Sequence, residues 1–406
     1  MNTKRAPKVR FKGFTDAWEQ RKLGEITEKI TRKNQSLESL LPLTISAQHG
    51  LIDQNSFFNK QIASKDVSGY YLIKNGEFAY NKSYSNAYPW GAIKRLDLHD
   101  KGVLSTLYIV FKPTNVESNF LVSYYSADNW HKEVSIRAAE GARNHGLLNI
   151  SPQDFFETKL LIPNKYEEQT KIGSFFRSLD RLITLHQRKL DKMKELKKAF
   201  LNLIFSQKLR FEGFTDSWEL RKLGEVAPLR GGYAFQSNQY ANEGIPIVRI
   251  SNILSDGSVG GEFVFHNELK DDEIFMLENG DIVLAMSGAT TGKVSILSSE
   301  KFCKYYQNQR VGLFSKTATC NYSFVATIVR SEKFLEQLRD VLVAGAQPNV
   351  SAKDIDAFDF SVPKDVEEQS QIGNFFRTLD RLITLHQKKI DSLKEMKKIL
   401  LKNMLI

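Results

Sequence analysis

The chain has 406 residues, 41% hydrophobic and 26% charged, ordinary globular values that argue against a disordered or fibrous protein. No run reaches the ~20 apolar residues of a membrane span, MNTKRAPKVRFKG has no apolar signal core, and Cys303 and Cys320 are too few for a disulfide framework or a four-thiolate zinc site. The expectation is a reduced, soluble, cytoplasmic protein of two or three domains. Its net charge of +10 is concentrated over 170–210 (eleven basic, three acidic) and 370–406 (eight basic, three acidic), which suggests a polyanionic partner.

Taken in chain order, the predicted elements describe one plan executed twice. Residues 1–26 contain FKGFTDAWEQRKLGE (11–25), which returns as FEGFTDSWELRKLGE (211–225) with 12 of 15 positions identical. Residues 27–163 read as short mixed strands broken by Gly, Asn and Asp, enough chain for an α+β domain with its own core. Residues 164–210 are a long helix whose segment 172–198 returns as 372–398 with 20 of 27 positions identical. The scaffold segment 211–226, a second α+β middle (227–363) and a second long helix (364–406) complete the repeat. Both matches lie at an offset of 200 residues, and the middles share almost nothing. Ends held alike and middles free to differ suggest a common scaffold meeting a common partner, with two readers of different things.

The helices carry an apolar seam at steps of four and three: Ile172, Phe176, Leu179, Ile183, Leu190, and in the second copy Ile372, Phe376, Leu379, Ile383, Ile390. Each stripe is the other's obvious partner, which predicts an antiparallel coiled coil within one chain, related by a pseudo-twofold. His186 and His386 fall on the seam and are read as polar residues fixing register, since no further ligand stands at metal spacing. Lys197 and Lys397 interrupt both seams, with Leu196 and Met396 beside them able to cover the gap.

The middles hold clusters of amides, hydroxyls, arginines and aromatics, side chains able to read base edges. In the first, these are Lys82, Ser83, Tyr84, Asn86, Tyr88, Arg143, Asn144 and His145. In the second, they are Ser287, Thr290, Thr291, Lys293, Gln307, Asn308, Gln309, Arg310, Gln347 and Asn349. Any one cluster is ordinary turn chemistry; several on a basic repeat protein point to recognition. Gly288 and Gly292 are expected to let the backbone between them come close to DNA, with Thr290 and Thr291 touching a base edge or a phosphate. Lys293 would neutralise a phosphate and Arg310 would read a base, unless Arg310 pairs with an acid such as Asp281.

Gly288 to Val294 mimics a phosphate loop, but it has three residues between its glycines where four are needed, and a valine after Lys293 in place of a hydroxyl. No HExxH, GxSxG, paired CxxC, GxGxxG or amino-methyltransferase motif is present. No catalytic residue and no metal site is therefore assigned. A self-sufficient DNA-modifying enzyme and a non-DNA coiled-coil adaptor are the disfavoured alternatives.

The entire chain resembles the specificity subunits of type I restriction–modification systems. The resemblance is carried by Trp18–Glu25 and Trp218–Glu225, the repeated EEQxxIGxFFRxLDRLIxLHQxK helix, GDIVLAMSGATTGK at 280–293 and QPNVSAKDI at 347–355. The first middle has NGEFAYNKSYSNAYPWGAIKR at 75–95 in place of the third motif. The resemblance implies a non-catalytic subunit in which each middle is a target-recognition domain reading half of a split double-stranded DNA site, with the helices as spacer. It also implies two modification subunits and further restriction subunits as partners. S-adenosylmethionine, ATP and Mg would be bound by those partners and not by this chain.

Overall fold

The computed structural model describes residues 6–46, 50–60, 62–83, 88–138, 148–298, 302–344 and 349–406. The chain divides into two compact units, Met1–Arg188 with Gln387–Ile406, and Lys189–His386. Each mixes sheet and helix, and each contains parts of both long helices, Tyr166–Phe205 and Val366–Met404.

In the first unit, strand Glu19–Lys22 pairs antiparallel with Lys159–Ile162, clasping the two ends of the variable middle. Inside lies a four-stranded antiparallel sheet in the order Thr27–Lys29, Ile109–Pro113, Phe78–Asn81, Ala92–Arg95. Strand Phe78–Asn81 is buried on both faces. Successive side chains of a strand point to opposite sides, so Phe78 and Tyr80 join the aromatic core with Phe111, Phe120 and Phe155, while Ala79 joins a smaller core with Leu43 and Val110. Outside the sheet, hairpin Leu43–Ser46/Gly50–Asp53 and the pair Tyr71–Lys74/Lys101–Leu104 complete the domain.

The second unit repeats the clasp, Glu219–Lys222 against Asp359–Val362, and a sheet of the same order: Leu229–Arg230, Val311–Phe314, Ile282–Ala285, Val294–Ile296. Ile282 and Leu284 face one core, Val283 and Ala285 the other. Two middles with almost no shared sequence thus carry one sheet plan. A further sheet, Val264–His266, Ile245–Val248, Tyr305–Gln307, Met276–Leu277, belongs to this unit.

The long helices begin after Pro163 and Pro363, each with two glutamates in the first turn, where negative charge suits the helix dipole. Within each unit they run antiparallel. Ile172 and Phe176 share a core with Leu401, Met404 and Leu405, and Ile372 and Phe376 share one with Ile204 and Phe200. Of the seam residues, Ile172, Phe176, Leu179, Leu190, Ile372, Phe376 and Ile390 are buried, while Ile183, Leu379 and Ile383 are half-buried. One expectation is corrected: Leu196 and Met396 are both 43% exposed and are not buried in the seam. Instead Lys197 pairs with Asp380 and Lys397 with Asp180, each at 2.6 Å, so the charges that interrupt the seam are neutralised across it.

Repeated residues also mount each middle on its helix. Arg10 holds buried Glu168 through two hydrogen bonds, and Arg210 holds Glu368 likewise. Gln169 accepts from the backbone N–H of Glu117 and donates to Pro163 O; Gln369 does the same with Asn321 and Pro363. Much of the shared sequence is therefore internal carpentry.

Candidate nucleic-acid interface

In the second unit the strand Ile282–Ala285 runs into a tight loop, Met286–Lys293. Ser287 is extended, Gly288–Thr290 forms a single 3-10 turn, and Gly292 returns the chain at φ +85°. The loop is closed by Gly292 N–H to Ala285 O and Ala285 N–H to Lys293 O. Met286 ties it to its neighbours, donating to Arg310 O and accepting from Val350 N–H. Three sequence clusters, around 287–293, 308–310 and 349, are thereby gathered at one end of one sheet.

Within that gathering the roles separate. Thr290 Oγ1 donates to Ile250 O at 3.2 Å and Thr291 Oγ1 to Gly288 O at 2.7 Å, so both hydroxyl protons hold the loop itself. Gly292 is favoured by its φ of +85°, which L side chains rarely adopt, and a Cβ there would also press on a methyl of Leu338. Gly292 is therefore buried against the helix Glu332–Ala344, which carries Leu338, and offers no opening for a ligand, a correction to the expectation for that glycine. Gly288, by contrast, is exposed.

Lys293 is half-buried and makes no ion pair among the described residues; Arg310 is exposed, and its guanidinium is likewise unpaired there. Asp281, the candidate acid for Arg310, is instead engaged by Lys316 at 3.1 Å and by its own turn at Glu278 N–H. Gln309 is exposed, and Asn308 is half-buried with its Oδ1 accepting from Arg310 N–H.

Gln307 must be withdrawn as a contact residue. It is 0% exposed, and its amide NH2 donates to Arg230 O and Val311 O at 2.9 and 2.7 Å. A turn-like polar run hid a strand residue that braces two segments of backbone. Asn349 is exposed beside this loop; Gln347 lies outside the described residues.

Two residues at this end escaped sequence reasoning. Tyr233 is 46% exposed, donates its N–H to Gln307 O, and lies against Phe275 with ring centroids 4.9 Å apart. Arg249 is half-buried, its Nε without a hydrogen-bond partner among the described residues, one residue before the carbonyl that holds Thr290. Only their residue types, an aromatic and an arginine in a β-rich middle, could have signalled them.

In the first unit the corresponding segment, between strands Phe78–Asn81 and Ala92–Arg95, is described at residues 82–83 and 88–91. Lys82 accepts from Leu148 N–H and its ammonium reaches Ile150 O at 3.4 Å, as Met286 grips Val350 in the other unit. Ser83 and Tyr88 are exposed. Tyr84, Asn86, Arg143, Asn144 and His145 lie outside the described residues. A second shared motif is visible only in three dimensions: Asn75-Gly76-Glu77 and Asn279-Gly280-Asp281 make the same turn before the same strand. Glu77 and Asp281, both buried, accept from Lys74 N–H and Glu278 N–H.

The MjaVIII type I restriction enzyme specificity subunit of Methanocaldococcus jannaschii is 24% identical over 319 residues, 74% of this chain and 73% of its own length. The EcoAI specificity subunit of Escherichia coli is 25% identical over 176 residues, 41% of this chain and 30% of its own length. The crystal structure of a type I restriction–modification S subunit from M. genitalium superposes with a TM-score of 0.68, covering 99% of both chains at 14% identity, which shows the shared fold. The family described as type I restriction modification DNA specificity domain matches twice, at residues 15–195 and 215–395, and the chain belongs to that family.

Proposed function

We propose that this chain is a non-catalytic subunit that recognises a bipartite double-stranded DNA target and directs partner subunits to adenine methylation or cleavage. One observation carries the reading. Two domains of identical sheet order are mounted by identical residues but present different loops at the end of the sheet where Lys293, without an ion pair among the described residues, and exposed Arg310 stand. Identical mounts suit identical partners, and different loops suit different half-sites. Lys293 would neutralise a phosphate and Arg310 would pair with guanine through its planar fork.

The repeated helices also suit two copies of a modification subunit. Leu182, Leu185, Leu382 and Leu385 are 40, 51, 38 and 52% exposed, the same apolar pair on each copy. S-adenosylmethionine, ATP and Mg then belong to the modification and restriction partners. No helix among the described residues is long and apolar enough to cross a membrane; we place the complex in the cytoplasm, with the DNA.

The test is to map methylated adenines in cells expressing this chain with its modification subunit. Methylation at one split motif is expected. Methylation unaffected by removal of this chain, or methylation by this chain alone, overturns the reading.

A further inference from the structure

In the second unit a cleft of about 260 Å³ opens against the long helix Val366–Met404. Its lining includes the apolar Ile282, Ile296 and Ala326, the cations Lys316, Arg330 and Arg377, and the carboxylate of Asp380. The carboxylates in reach are already engaged. Asp380 is held by Lys197 at 2.6 Å and by Arg330 at 2.8 Å, and Asp281 by Lys316 at 3.1 Å. The cleft lining thus carries three cations, Lys316, Arg330 and Arg377, against one carboxylate, Asp380.

The internal repeat shows what is missing from this cleft. Strand register pairs Phe78 with Arg95 in the first unit and Ile282 with Ile296 in the second, so Ile296 stands where Arg95 stands. Arg95, its side chain only 11% exposed, donates to Asp97, Ser118 and Asn119 and lies over the Phe78 ring at 6.0 Å. In the second unit the positions of Ser118 and Asn119 are taken by Tyr322 and Ser323, which line the cleft. Helix residues on that side are unchanged: Gly173, Arg177 and Asp180 recur as Gly373, Arg377 and Asp380. The first unit fills this position with its own guanidinium. The second has lost that cation, kept the space, and gained Arg330 on the rim where the first has Ser126.

We infer that this cleft binds a compact phosphate-bearing ligand no larger than a nucleoside monophosphate. Arginine forks and an ammonium match a phosphate's oxygens, and the apolar lining residues offer a face for the ligand's body. The volume falls just below the ~300–1,000 Å³ typical of small-molecule pockets, which limits the ligand's size. The cleft abuts Asn279 and Gly280, at the start of strand Ile282–Ala285, whereas the loop 286–293 follows its end. Four residues at ~3.3 Å each separate the two places, so ligand and DNA would occupy distinct sites.

The test titrates the full chain calorimetrically with inorganic phosphate, cytidine monophosphate and cytidine, in phosphate-free buffer at constant ionic strength. Binding of the two phosphate probes and not of cytidine is expected. Equal affinity for both assigns the site to free phosphate, and tighter cytidine monophosphate binding assigns it to a nucleotide; either outcome supports the oxyanion site. Arg377→Gln should remove one lining guanidinium and weaken binding of both phosphate probes by roughly tenfold or more, as loss of a charge-assisted contact does. Should that variant melt early, Lys316→Gln, at an exposed side chain, provides the second reading with the same direction. No binding at millimolar probe, or unchanged affinity in both variants, overturns the inference.

Discussion

Arg10 and Glu168 are 158 positions apart in sequence and form a two-pronged ion pair at 2.6 and 2.7 Å. Glu168 is 1% exposed, and the pair recurs at the same separation as Arg210 and Glu368. Removing one partner of a buried pair strands a charge, which typically costs about 3–5 kcal/mol. Arg10→Met should therefore lower the melting temperature clearly, and the double variant Arg10→Met/Glu168→Leu should recover much of the loss. A double variant no more stable than the single one would show that the pair is not the source of the cost.

Gly173 and Gly373 predict a steric effect. A Cβ at either would lie 2.5 or 2.6 Å from the backbone nitrogen of Phe120 or Phe324. Backbone cannot yield as a side-chain tip can, so Gly173→Ala should destabilise by about 1–3 kcal/mol despite alanine's better helix propensity. Thermal melting measures it; a stabilised variant would contradict the packing.

The recognition loop predicts three distinguishable mutants. Lys293→Ala should weaken binding to all DNA sequences and reduce the salt slope by about one unit. Arg310→Ala should cost ~1–3 kcal/mol on the cognate site and relax one base pair. Gln307→Ala should instead lower stability by roughly 1–3 kcal/mol, because it strips the amide from one buried and one half-buried carbonyl. DNA titrations run beside melting curves separate the three, and an Arg310 variant that melts early with unchanged preference would reassign that residue to the fold.

Replacing residues 27–163 with another family member's first middle should change one half-site and leave the other. Methylation mapping reads the result directly. Both halves changing together would rule out independent readers.

The two thiols should behave differently. Burial pushes the Cys320 thiol up to about 12, whereas Cys303 is exposed. A thiol-reactive probe near neutral pH should titrate one cysteine in the native chain and two after denaturation. Because the folded chain holds the Cys320 proton more tightly than the unfolded chain, this group's contribution to stability is complete below its ordinary value of 9.0 and is lost as pH rises towards 12. Urea unfolding across that alkaline window checks the sign.

The sequence disclosed the repeat because its ends align at one constant offset, and it disclosed the helices because a seam is a local periodic signal. The shared sheet was not legible: Asn75-Gly76-Glu77 and Asn279-Gly280-Asp281 stand 204 positions apart, and differing loop lengths slide them out of the 200-residue frame. Gln307 was misread because a buried amide and a recognition amide are the same residue type, and only the carbonyls of Arg230 and Val311 distinguish them. The partners of Lys197 and Lys397 are 183 and 217 positions away, beyond any local rule.

Gln169 and Gln369 hold the variable domains by main-chain atoms: the amides of Glu117 and Asn321, and the carbonyls of Pro163 and Pro363. Gly173 and Gly373 likewise press on backbone nitrogens. A fitting that grips peptide units is indifferent to the side chains they carry. Recombination or rapid drift can therefore substitute one recognition module for another without the socket having to change, so new DNA addresses become accessible in single genetic events while the machinery that acts on them stays the same.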